Sequence, residues 1–125
     1  MALLPITSVT AAISVVMLVG LGTITGLQRK KTSTSLGLGT DETLLRRIRA
    51  HGNFAEYVPI ALIVLGLVET GGASVELLWT IAGLLIIGRL FHAYALLTGT
   101  LPLRGLGMLM TFTSMLIGAV MLLWP

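Results

Sequence analysis

From Pro5 to Leu27, 23 consecutive residues carry no charge. At 1.5 Å per residue a helix of that length covers roughly 35 Å, more than the hydrocarbon layer of about 30 Å. One such run already fixes the solvent of the chain, because a lipid-spanning segment must satisfy its backbone internally and so must be helical. Three more stretches follow the same rule. A helix-compatible run extends from Thr40 to Glu69, a third from Val75 to Leu97, and a fourth, free of charge, from Gly105 to Trp124. The composition agrees: 55% of residues are hydrophobic and 10% charged, where soluble domains carry about 25% charged. A chain of 125 residues has too much surface per volume to hide that apolar content from water. The expected fold is therefore all-α, an integral membrane four-helix bundle. It forms a single domain over residues 1–125, with spans at 5–27, 50–69, 75–97 and 105–124.

The connections are short and polar. Gln28 to Thr40 carries Arg29, Lys30, Lys31 and a Thr/Ser run, and reads as a solvated loop, with Thr40 as N-cap ahead of Asp41 and Glu42. Gly71-Gly72 reads as a tight turn, with Ser74 capping the next helix, and Thr98 to Arg104 as a third loop. The apolar stretch at Pro5 is too long, and lacks the preceding cation, for a cleaved signal peptide. The formal charge of +3 is a topology signal and not a nucleic-acid-binding face. Cations crowd the first connection and recur at Arg104, while the second has none, so the first and third should be cytoplasmic and both termini outside. There is no cysteine, which excludes disulfides, thiolate metal sites and a protein thiol nucleophile.

Ionisable residues inside a span are costly and mark candidate sites. Arg49, Asn53 and Glu56 are spaced i, i+4, i+7 and share one helical face, which Arg46 extends. Pro59 removes a backbone donor beside this stripe and should bend the helix. In the third span, Arg89 and His92 share a face. Counted from the Gly71-Gly72 turn, Glu56 and Arg89 both lie ~20 Å deep, so they are expected to meet between helices. One reading of that pair is structural, an internal ion pair fixing register. The other is functional: Arg49, Arg89 and Arg104 outnumber the single embedded acid Glu56, and a surplus of guanidinium groups at a half-buried site calls for an anionic ligand. No set of His, Asp or Glu at ligand spacing suggests a metal.

The string Arg49-Ala-His-Gly-Asn53-Phe-Ala-Glu56-Tyr57, followed by Val58-Pro59, resembles the second-helix motif of the MAPEG family, the membrane-associated proteins in eicosanoid and glutathione metabolism. Gly88-Arg89-Leu-Phe-His92, continuing to Thr98 and a Pro-containing loop to Arg104, is similar to the third helix and following loop of the microsomal glutathione transferases. Within the family the chain looks most like the small bacterial members. The resemblance implies a homotrimer in a bacterial inner membrane, with glutathione held in a cytosol-facing cleft between subunits. Carried over by position, Arg49, Asn53, Glu56 and Tyr57 would bind the tripeptide, with Arg89 and His92 on the adjoining helix and Arg29 reaching a carboxylate. Arg104 stands close to the arginine that stabilises the thiolate in the transferases.

The implied activity is transfer of glutathione to lipophilic electrophiles, or a peroxidase reaction, with glutathione as cosubstrate. Seven residues after Arg89, where the transferases commonly place a tyrosine, this chain has Leu96. A glutathione-binding protein without turnover therefore stands beside the enzyme reading. A small four-helix transporter using Glu56 is a third class, although transporters of that size usually carry the key carboxylate in the first helix, which here has no charge.

Overall fold

A computed structural model describes residues 3–124. Those residues form four helices: α1 (Pro5–Lys31), α2 (Glu42–Thr70), α3 (Val75–Thr98) and α4 (Leu101–Leu123). Each is long and apolar enough to cross a membrane.

The helices begin and end where local chemistry allows. Pro stands in the first turn of both α1 and α4, where its missing N–H costs nothing. Ser74 caps α3 by accepting from the Leu77 N–H. The turn before it places Gly72 at φ +82°, and α3 closes on Gly99 at φ +83°. Both conformations favour glycine.

Three boundaries differ from the sequence reading. First, α1 continues through Arg29, Lys30 and Lys31, because cations in the last turn complement the helix dipole and do not end the helix. Second, the N-cap of α2 is Asp41, not Thr40: its carboxylate accepts from the Leu44 N–H at 2.6 Å and from the Gln28 side-chain amide at 2.9 Å. Those two donors hold the Asp41 carboxyl below its ordinary range. Third, α4 begins at Leu101, so Arg104 lies in its first turn rather than in a loop. α2 runs unbroken through Pro59.

α2 packs against all three other helices, whereas α1 and α4 share no contact among the described residues. In lipid the usual hydrophobic force between helices is absent, so close packing and interhelical hydrogen bonds must hold the bundle. α4 meets that requirement with a buried row of small residues, Gly107, Thr111, Ser114 and Gly118. Ser114 Oγ donates to the Ile81 carbonyl of α3 at 2.8 Å. At the crossing of α3 and α4, a Cβ on Gly107 would lie 2.6 Å from both the Gly88 carbonyl and the His92 amide nitrogen. Only glycine permits that approach, and it sets the rotation of α3 about its axis.

Larger side chains fill two further layers. Ile6, Leu65, Val68, Leu78 and Ile81 pack near the α2–α3 turn, and Leu21, Ala50, Phe54 and Val58 pack α1 on α2 nearer the opposite end. A carboxylate ties α1 to α2: Glu69 accepts from the backbone N–H groups of Ile6 at 2.9 Å and Thr7 at 2.8 Å. α1 has no side-chain cap of its own, and Glu69 supplies one from another helix.

Candidate functional site

At the end of the bundle that carries the α1–α2 loop, α2, α3 and α4 diverge around a cavity of about 490 Å³, within the range of small-molecule sites. α2 contributes Arg49, Asn53 and Glu56, one helical stripe as the i, i+4, i+7 spacing requires. α3 contributes His92 and Leu96, and α4 contributes Arg104. Arg49, Glu56 and Arg104 are exposed to the cavity, Asn53 is half-buried and His92 is buried. Leucine and isoleucine line the remainder: Leu45 and Ile48 from α2, and Leu38 from the loop.

The floor is built by a residue that does not line the cavity. Arg89 is 1% exposed at the junction of α2, α3 and α4. Its Nη1 donates to Asn53 Oδ1 at 2.7 Å and its Nη2 to Met108 Sδ at 3.3 Å. The guanidinium stands 6.0 Å from the Tyr57 ring centroid, close enough for a cation–π contact. Tyr57 packs in turn on Phe112, with ring centroids 5.5 Å apart. Nε of Arg89 is buried without a hydrogen-bond partner.

The expected meeting of Glu56 with Arg89 does not occur. Arg89 pairs with no carboxylate among the described residues, whose one ion pair joins Arg46 to Glu42. Counting residues gave the two side chains the same depth, but depth says nothing about direction around the helix. The close α3–α4 crossing turns Arg89 toward Asn53 and Met108, leaving Glu56 free to face the cavity.

Arg46 also leaves the stripe. Its guanidinium lies against Gly99 at the end of α3, where a Cβ would stand 2.6 Å from Nη1. Arg29 does not line the cavity: its Nη1 donates to the carbonyls of Thr34 at 3.3 Å and Gly37 at 2.9 Å, bracing the loop. It lines a separate depression of about 330 Å³ with His51, between α1 and α2.

Of the eight residues singled out in the sequence, five therefore line one cavity, Tyr57 and Arg89 lie beneath it, and Arg29 faces elsewhere. Gly52 and Leu45 also line it and were not foreseen, although both continue the spacing of the α2 stripe. Leu38 had no such signal; it stands between Gly37 at φ +73° and Gly39 at φ +62°.

The assembly of Arg49, Asn53 and Glu56 on α2 with Arg89 and His92 on α3 is the same pair of motifs on which the family resemblance rests. The family model of MAPEG matches residues 7–124, nearly the whole chain. The chain belongs to the MAPEG family. It is a membrane protein of that family, which includes glutathione transferases and related enzymes. Inner membrane protein YecN of Escherichia coli K12 is 31% identical over 96 residues, which cover 77% of this chain and 73% of that relative. YecN of Escherichia coli O6:H1 matches to the same extent. No solved structure matches the chain.

Proposed function

We propose that this MAPEG protein is a glutathione-dependent transferase that joins the glutathione thiolate to lipophilic electrophiles, or a peroxidase that uses the same thiolate. The observation that supports it best is the joint lining of one cavity by Arg49, Arg104 and Glu56 beside Asn53 and His92. Glutathione carries two carboxylates, one ammonium and a thiol. Two guanidinium groups and a carboxylate complement that pattern of charge.

The protein has no cysteine, so the nucleophile comes from the cosubstrate. A guanidinium beside the thiol stabilises its thiolate, and Arg104 is the residue assigned to that task. The thiolate sulfur then attacks the electrophilic carbon of a partner dissolved in the bilayer. A C–S bond forms, the bond to the leaving group breaks, and the leaving group departs with the electron pair. The leucines and isoleucine of the cavity wall suit an apolar partner. In this reading subunits assemble as a homotrimer in a bacterial inner membrane, in keeping with the name of the relative YecN, with the cavity facing the cytoplasm.

One observation favours binding without turnover. Leu96 lines the cavity at the position where the transferases commonly place a tyrosine, and it offers no hydroxyl to the thiol. Two variants separate the roles. Arg104→Ala should lower thiolate formation and conjugation of a reactive aryl halide more than glutathione affinity, and Glu56→Ala should weaken affinity itself. The reverse pattern contradicts the assignment, and saturable binding with no conjugation by the wild-type chain supports the non-catalytic reading.

A further inference from the structure

A guanidinium has only N–H donors. Asn53 must therefore turn its carbonyl oxygen to Arg89, as the 2.7 Å contact from Nη1 to Oδ1 records. The amide has two ends, and the other, Nδ2 with its two hydrogens, is directed away from Arg89. Asn53 lines the cavity while Arg89 does not, and the hydrogen bonds among the described residues give Nδ2 no partner.

Arg89 has little freedom to release the amide. It is buried, its second terminal nitrogen is engaged by Met108, and the Tyr57 ring lies alongside. A free asparagine can flip to suit either a donor or an acceptor; this one cannot without leaving a buried charge unsatisfied.

We propose that Arg89 is a positioning residue that acts through Asn53: by holding Oδ1 it makes Asn53 a donor-only contact in the cavity, selecting a ligand carbonyl or carboxylate oxygen at that point and excluding an ammonium. The ammonium of an amphoteric ligand is thereby directed to Glu56, the one carboxylate among the described residues that line the cavity. Arg49, Asn53 and Arg104 then present donors only, so the orientation of the ligand is set by the polarity of the wall. Naming glutathione as that ligand rests on the proposed function, whereas the polarity of Asn53 rests on the geometry alone.

The experiment uses the full chain in detergent and compares wild type with Asn53→Ala, Arg89→Met, the double variant and Asn53→Asp. With glutathione as titrant, each of Asn53→Ala and Arg89→Met should weaken binding about tenfold, and the double variant should be no weaker than the worse single. Asn53→Asp restores a partner to Arg89, so it should keep the melting temperature at or above wild type. It should nonetheless bind glutathione at least about tenfold less tightly, since it turns an acceptor to the cavity. A double variant weakened by the product of the two singles, or an Asn53→Asp protein that binds like wild type, overturns the proposal.

Asn53 is the only asparagine and Gln28 the only glutamine in the sequence, so uniform ¹⁵N labelling gives two side-chain amides, of which the Asn53 signal is the readout. If wild type does not bind glutathione, the proposed function fails and this signal alone decides the inference. Arg89→Met should shift and broaden it while the single glutamine, Gln28, stays in place. An unchanged Asn53 amide in Arg89→Met overturns the positioning role, and the same spectra decide the matter if either substitution weakens folding.

Discussion

Gly88 and Gly107 bring the backbones of α3 and α4 together so closely that a Cβ on Gly107 would stand 2.6 Å from the Gly88 carbonyl oxygen, and one on Gly88 2.9 Å from the Gly107 carbonyl oxygen. That crossing fixes the rotation of α3, and with it the side chains that α3 presents to α2. The cavity is therefore positioned by two residues that carry no functional group.

Gly107→Ala should destabilise the protein in detergent by about 2 kcal/mol or more, because the obstructing atoms are backbone and the helices must separate. Gly20→Ala is the control. Nothing lies within 4 Å of a Cβ at that position of α1, so a helical alanine there should be neutral or stabilising by up to about 1 kcal/mol. Thermal melting of the two variants measures both. Equal midpoints would mean that the close crossing contributes nothing to stability.

Glu69 caps α1 from α2 with both carboxylate oxygens. Glu69→Gln keeps one acceptor but replaces the other oxygen with a donor facing an N–H, so the start of α1 should fray. Amide hydrogen exchange at Ile6 and Thr7 should quicken about fivefold or more, for a loss on the order of 1 kcal/mol at this half-buried site. Exchange that spreads equally through α3 and α4 would instead indicate global destabilisation.

The cations gather at the ends of α1 and α2 that flank the first connection, and none lies beside the α2–α3 turn, so the first connection is expected on the cytoplasmic side. The absence of cysteine makes single-cysteine labelling clean. In intact cells, a membrane-impermeant maleimide should label Thr70→Cys, near the α2–α3 turn, and leave Ser35→Cys, in the α1–α2 loop, unlabelled until the membrane is opened. The opposite pattern would place the cavity outside.

Much of the architecture was readable from residue patterns. Long apolar runs, free of charge in the first and fourth spans, mark the four helices, and the Gly71-Gly72 turn with Ser74 marks the α2–α3 junction, because glycine conformation and hydroxyl capping are local effects. The Arg49, Asn53 and Glu56 stripe was readable for the same reason, since one helix sets its own periodicity. The partner of Arg89 was not. Which neighbour a side chain meets depends on how its helix is rotated, and that is decided by Gly88 and Gly107, residues whose meaning is apparent only once both helices are in place. Leu38 at the cavity and Arg29 on the loop were hidden likewise, because the path of the α1–α2 loop is set by side-chain contacts to backbone carbonyls rather than by any periodic pattern.

In the proposed reaction the cavity between α2, α3 and α4 takes up glutathione and stabilises its thiolate. The most direct test is to titrate glutathione into the purified wild-type chain while following thiolate absorbance in the ultraviolet. The proposed role of Arg104 predicts a saturable rise at neutral pH, where free glutathione is almost wholly protonated at a thiol pKa near 8.5, and loss of that rise in Arg104→Ala. A titration with neither binding nor thiolate signal would contradict it.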